Sequence, residues 1–282
     1  MDLYDGHMHT VNSLDGGQTV DEICKTALEK GLSGVSITDH VDMWFYDKKN
    51  TEGRIKNCIK QVSDMQKKYL GKLKIFQGVE MAEYLYAPEK AEIIMKLTDY
   101  DVILGSVHSV LYEDWTDSYS RLPFGENDAP KEKLIGFMRK YFEKVAQMAE
   151  KTDFDVLSHL TCPLRYINGK FCRGIDTDYF KNEITCILEL IIKRNIALEV
   201  NTSSLATALS SFMPSTDIIK RYYDMGGRLI TIGSDAHISS NIGSGLEQAA
   251  QALKSIGFKS YNYYEKRIPN EVSLAERSDA NA

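Results

Sequence analysis

Basic charge is in short supply in this chain: 34 Lys and Arg stand against 40 Asp and Glu, a formal net charge of −6. No overall positive field is available to hold a nucleic acid or an anionic membrane. Long apolar runs are missing too, since none approaches the roughly 18 residues of a membrane-spanning helix. The opening Met1-Asp2-Leu3-Tyr4-Asp5 is too acidic and too polar for a signal peptide. Paired cysteines are absent: Cys24, Cys58, Cys162, Cys172 and Cys186 are odd in number and none is spaced C-x-x-C. That fits reduced thiols in the cytoplasm rather than a disulfide framework or a thiolate zinc site. Histidine is scarce, with six in 282 residues. What remains is ordinary globular composition, 43% hydrophobic and 26% charged, which excludes a disordered or collagen-like chain.

Apolar runs of strand length alternate with longer amphipathic stretches. The runs at 34–38, 73–79, 102–107, 154–158, 196–200 and 228–233 read as strands, and Leu3-Tyr4 opens a short one before them. Thr19-Val20-Asp21-Glu22 has capping-box form, and the apolar spacing behind it predicts a helix that Gly31 ends. Residues 130–151 place Leu134, Phe137, Met138, Tyr141, Val145 and Met148 on one face; 177–194 does the same with Phe180, Ile184, Ile187, Leu188, Ile191 and Ile192. Further helices are predicted from Pro214 to Gly226 and over 242–256, before a last apolar run at 261–264, with the tail from about residue 265 to 282 expected to fray. Sustained alternation means parallel strands joined by helices, in a doubly wound sheet or a closed barrel. The longest irregular stretch, 111–129, is expected to be a lid or binding loop.

The scarce histidines fall in one kind of place. His7 and His9 follow the first short run, His40 follows 35–39, His108 closes 102–107, His159 closes 154–158, and Asp235 with His237 closes 229–233, while Glu80 follows 75–79. Residues just past the ends of parallel strands converge on one rim, where such folds carry their chemistry. All six histidines, with the carboxylates Asp15, Glu80 and Asp235, are therefore expected at one metal site. Imidazole and carboxylate suit Zn, Mn and Fe alike.

His7-x-His9, Thr38-Asp39-His40, Gly78-Val79-Glu80, Gly105-Ser106-Val107-His108 and Gly233-Ser234-Asp235-Ala236-His237 together resemble the polymerase-and-histidinol-phosphatase (PHP) family of metal-dependent phosphoesterases, over nearly the whole chain. The stretches Leu198-Glu199-Val200-Asn201-Thr202 and Val156-Leu157-Ser158-His159 are most similar to its stand-alone histidinol-phosphate phosphatases. The resemblance implies an α/β fold, a distorted (β/α)7 TIM-like barrel with the metal site at the C-terminal ends of its strands, in a single domain over 1–282. It implies three divalent ions (Zn, Mn or Fe). His7, His9, Glu80 and Asp235 would hold one, Glu80 with His108 and His159 a second, and Asp15, His40 and His237 the third. Asp15 could instead belong to a plain turn.

The implied reaction is dephosphorylation of L-histidinol phosphate by a hydroxide bridging two ions, with Glu80, Asp235 and His237 at the catalytic centre. Asp235 or a nearby histidine would protonate the leaving alkoxide. Arg165 is the candidate phosphate grip, or else a surface arginine of its loop. Asp5 and Asp39 either orient ligand imidazoles or cap turns. Trp44, Phe45, Tyr84, Tyr86 and Trp115 are candidates for shaping the substrate pocket. The partner expected is this small phosphorylated substrate, with no nucleic acid and no membrane. Another phosphoesterase of the family (a tyrosine or nucleotide phosphatase, or an exonuclease) and a non-catalytic metal-binding protein are the alternatives, with the −6 charge weighing against a nuclease.

Overall fold

A computed structural model describes residues 2–275. Strand β1 (Tyr4–Met8) is followed by helix α1 (Val20–Glu29), then β2 (Gly34–Ile37), β3 (His40–Asp42), α2 (Thr51–Lys68), β4 (Lys74–Ala82), α3 (Pro88–Met95) and β5 (Val102–Ser106). The chain continues through α4 (Lys131–Lys151), β6 (Val156–Leu157), α5 (Lys181–Arg194), β7 (Ala197–Asn201), α6 (Thr216–Asp224), β8 (Ile230–Gly233) and α7 (Leu246–Ile256). A hairpin, β9 (Ser260–Glu265) and β10 (Ile268–Ser273), ends the described chain.

All pairings from β1 to β8 are parallel, in the order β1-β2-β4-β5-β6-β7-β8, with β3 also on β4. β2 and β3 are two pieces of one stave. Gly34 lies opposite Lys74 and His40 opposite Glu80, an unchanged register across the Thr38-Asp39 interruption. The ends meet where the His9 amide donates to the Ala236 carbonyl at 3.0 Å and the Asp235 amide to the His7 carbonyl at 2.8 Å. The result is a distorted (β/α)7 barrel, each stave followed by one helix, which resolves the choice that periodicity left open.

The helices form where their apolar stripes require it. Thr19 caps α1 with a complete capping box. α4 buries Leu134, Phe137, Met138, Tyr141, Phe142, Val145 and Met148, each large apolar side chain contributing roughly 1.5–3 kcal/mol of burial. α7 starts later than the sequence pattern suggests, because Gly243 and Gly245 take φ of 70° and 77° ahead of it.

The expectation that the chain frays from about residue 265 is corrected here. β9 and β10 cover the N-terminal end of the barrel: Tyr264 packs on Val102, Leu104, Val156 and Ala197, and Arg267 pairs with Asp153 and Asp155 at 2.7 and 3.1 Å. Of the tail, residues 276–282 lie outside the described residues. No helix among the described residues is long and apolar enough to cross a membrane.

Candidate metal centre

Parallel staves deliver their last side chains to one end of the barrel, and that end carries the histidines. His7 and His9 are two residues apart on and just after β1 and face the same interior, both fully buried. Glu80 lies inside the long β4 rather than after it and is also fully buried. His40 opens β3, while His108, His159, Asp235 and His237 follow β5, β6 and β8.

Glu80 is the hub. Its Oε1 is 2.8 Å from His159 Nε2 and 3.3 Å from His108 Nε2. Its Oε2 is 2.6 Å from His40 Nδ1, 3.5 Å from His7 Nε2 and 3.8 Å from His9 Nε2. Asp235 Oδ1 is 3.1 Å from His9 Nε2 and 3.8 Å from His7 Nε2. At the outer edge His40 Nε2 and His237 Nε2 are 3.3 Å apart. Asp15, the exposed member, reaches them at 3.7 and 3.4 Å. The structure thus brings together the nine residues expected as metal ligands.

The donor set suits a cation. Four compact groups have the spacing to hold one: His7, His9 and Asp235; His7, Glu80 and His159; His40, Glu80 and His108; His9, His40 and His237. His7 Nε2 is buried without a hydrogen-bond partner and faces Glu80 Oε2 at 3.5 Å and Asp235 Oδ1 at 3.8 Å. Facing lone pairs of this kind are unfavourable in a dry interior unless an ion or proton lies between them. All donors are imidazole nitrogens or carboxylate oxygens, which is zinc, manganese or iron chemistry.

Electrostatics says the same in the language of protons. Burial disfavours an imidazolium at His7, but the carboxylates of Glu199, Asp235 and Glu80 outweigh it and raise its pKa well above the usual range. His40 is raised to about 9, with burial opposing and Glu80 prevailing. His9 goes the other way: burial and the neighbouring His40 and His237 push it well down. Burial would keep Glu80 neutral, yet His40, His108 and His7 hold it well below the usual carboxylate range.

Several supporting residues escape the sequence reading. Glu199 accepts from His7 Nδ1 at 2.6 Å and from the His159 amide at 2.7 Å. Asp42 accepts from His108 Nδ1 at 2.8 Å, and Glu83 from the amides of His108 and Ser109. Glu199 lies in the stretch Leu198-Glu199-Val200-Asn201-Thr202 that carries the family resemblance, and its place inside an apolar run marks it without giving it a role. Asp39 accepts from Thr10 and Ser13, and it reaches an imidazole through Ser13, whose Oγ lies 3.3 Å from His9 Nδ1. Asp5 accepts from the amides of Ser234 and Gly243. His159 and Asp235 take φ of 25° and 52°, a conformation rare outside glycine and concentrated at functional sites.

A cavity of about 220 Å³ opens over the cluster, with Asp15, His40, His108, His159, Asp235 and His237 on its walls and Phe45, Tyr119, Tyr166 and Arg165 around them. Arg165 begins a π-helical turn, Arg165–Lys170. It is held by Ser203, by Ser204 Oγ at 3.0 Å and by Asp235 Oδ2 at 3.4 Å. The 111–129 stretch lends Ser118, Tyr119, Ser120 and Arg121 to the wall. It is pinned rather than loose: Trp115 packs among Phe124 and Phe137, and Arg173 donates to the carbonyls of Phe124 and Ala129. Of the aromatic candidates, only Phe45 lines this cavity. Trp44, Tyr84 and Tyr86 line a neighbouring one of about 270 Å³, and Trp115 is buried.

A parallel barrel with a buried imidazole and carboxylate cluster at its C-terminal rim defines the class. The PHP domain family model matches residues 5–203, and the chain belongs to that family. Its relatives include a probable histidinol-phosphatase of Thermotoga maritima, 29% identical over 91% of this chain and 94% of the relative. A second, from Clostridium acetobutylicum, is 27% identical over 94% and 98%. The crystal structure of histidinol phosphate phosphatase from Lactococcus lactis, complexed with zinc, L-histidinol and phosphate, shares the fold, with a TM-score of 0.77 at 19% identity over 95% of this chain and 99% of that one.

Proposed function

We propose that this chain is a cytosolic, metal-dependent phosphomonoesterase that converts L-histidinol phosphate to L-histidinol. The observation that carries the reading is Glu80, fully buried and within reach of five imidazoles, beneath a cavity that also contains an arginine. Relatives named histidinol-phosphatase that align over nine-tenths or more of both lengths support the substrate.

In this reading one ion is held by His7, His9, Glu80 and Asp235, a second by Glu80, His108 and His159, and a third by Asp15, His40 and His237. Divalent ions bound there supply Lewis-acid stabilisation of the phosphoryl charge and activation of water. Arg165 grips the phosphate, since a guanidinium already fixed by Ser203 and Ser204 meets phosphoryl oxygens without reorganising. Asp235 is a carboxylate at neutral pH: burial opposes its ionisation, but His7 and His9 hold it well below the usual range. It can accept the proton of the attacking water and return it to the leaving alkoxide, with His237 beside it on the cavity wall. Phe45, Tyr119 and Tyr166 give the flat imidazole of the substrate aromatic walls.

The test is phosphate release from L-histidinol phosphate beside phosphotyrosine and nucleoside monophosphates, with metal content measured on the same sample. The expected result is kcat/KM for histidinol phosphate at least about 100-fold above the others, the discrimination open to a site that hydrogen-bonds its substrate. Full turnover by a metal-free preparation, or a preference for another monoester, would count against the proposal.

A further inference from the structure

We infer that Glu199 is a positioning residue for this centre, fixing the ring of His7 and the backbone of His159 together, and that Gly233 is glycine to leave room for it. The inference rests on the reading of the cluster as a metal site. Glu199 is 1% exposed in the middle of β7, between the buried Leu198 and Val200. A carboxylate buried in that position is unfavourable unless its oxygens are satisfied, and here its partners are donors. Oε1 meets His7 Nδ1 at 2.6 Å, while Oε2 accepts from the His159 amide at 2.7 Å and from Asn201 Nδ2 at 3.2 Å.

The chemistry of an imidazole makes this arrangement specific. An ion takes a ring nitrogen that carries no proton, and the nitrogen of His7 facing the cluster is Nε2, buried and without a hydrogen-bond partner. The proton must then sit on Nδ1, which needs an acceptor on its other side. His159 presents a second demand. Its backbone is in the left-handed region, φ 25°, and its buried amide has Glu199 as acceptor. Only an acceptor-only side chain serves both. Glutamine at 199 would turn an NH2 toward one of them. Facing His7, it would favour moving the ring proton to Nε2, the atom the ion needs. Facing the His159 amide, it would strand a buried donor.

Gly233 supplies the independent observation. A Cβ there would stand 2.5 Å from Glu199 Oε1 and 2.5 Å from the Cβ of His7. Neither neighbour is a free end of a flexible chain, so alanine would part the pair. The last residue of β8 is therefore shaped by a contact between β7 and β1.

The test titrates the full chain, stripped of metal, with cobalt(II) followed by its visible absorption, and locates the ring proton of His7 by nitrogen NMR in the zinc-loaded wild type. We expect the proton on Nδ1. Glu199→Gln and Gly233→Ala should each weaken one cobalt site by about 10–100-fold, the usual effect of losing an outer-shell partner. A His7 proton on Nε2, or wild-type cobalt affinity in folded Glu199→Gln, overturns the role. Should Glu199→Gln fail to fold, the ring measurement on the wild type decides. A wild type that takes up no cobalt overturns the metal reading, and this role with it.

Discussion

Glu80 Oε1 lies 2.8 Å from His159 Nε2, and the same carboxylate reaches the histidines of β1 and β3 through its other oxygen. One side chain on β4 thus couples groups that the sequence separates widely. Glu80→Gln keeps the shape and removes the charge. We expect it to lower the number of ions held per chain and to reduce kcat by at least about 10²-fold, the scale for removing one electrostatic element of a hydrolytic site. Metal analysis and phosphate release on one sample check both effects. A variant with full metal content and unchanged kcat would show that Glu80 is merely structural.

The proton load of the metal-free centre gives it a pH dependence of definite sign. The pKa of His40 is about 9 in the folded chain against 6.5 ordinarily. Below about 6.5 both folded and unfolded chains carry this proton, and its stabilisation is complete. As pH rises toward 9 the unfolded chain releases the proton first, and the advantage disappears. His7 and His108 are raised for the same reason, acting against burial through Glu199 and Glu80 respectively. The melting temperature of chelated protein should therefore fall between pH 6.5 and 9. Metal uptake should strengthen over the same window, because ions displace those protons. Melting curves with and without zinc check the two opposite slopes; a rise for the chelated protein would contradict the assignment.

The histidine cluster was legible because a parallel barrel turns strand ends into a ring, so position along the chain becomes position in space. The role of Glu199 was not, since a carboxylate in an apolar run has no assigned partner until β1 and β6 bring His7 and His159 to it. α2 leaves little trace in the sequence because its buried stripe is narrow, with Thr51, Ile55, Cys58 and Val62 among lysines and acids; the eight residues of α3 are too few to show a period. β3 was hidden by the break at Thr38-Asp39, which is an interruption of side-chain pattern but not of register.

Arg165 is tethered on one side and open to the cavity on the other, which separates binding from charge. Arg165→Lys keeps a positive charge but loses the planar fork. We expect KM for histidinol phosphate to rise roughly tenfold, the equivalent of about 1.4 kcal/mol, as one good charge-assisted contact is lost. Metal content should stay at the wild-type level. Steady-state kinetics with metal analysis check it, and an unchanged KM would place the phosphate elsewhere in the cavity.

The tail offers a prediction about stability alone. β10 carries a single well-buried apolar residue, Val272, apart from its pairing with β9, so its sequence looks like a loose end. Its partner strand shows why it is held: Tyr264, 4% exposed, fills the floor of the barrel against Val102, Leu104, Val156 and Ala197. Tyr264→Ala leaves a cavity at the end opposite the histidines. A buried aromatic truncated to alanine costs about 3–5 kcal/mol, and Tyr264 lies in an apolar cluster that contains none of the histidines or carboxylates of the centre. We expect a much lower urea midpoint with little change in KM at temperatures where the variant remains folded. Denaturation and kinetics on the same preparation check it. If the midpoint held, the hairpin would be only leaning on the barrel; if KM rose with intact folding, the floor of the barrel would be transmitting its packing to the rim.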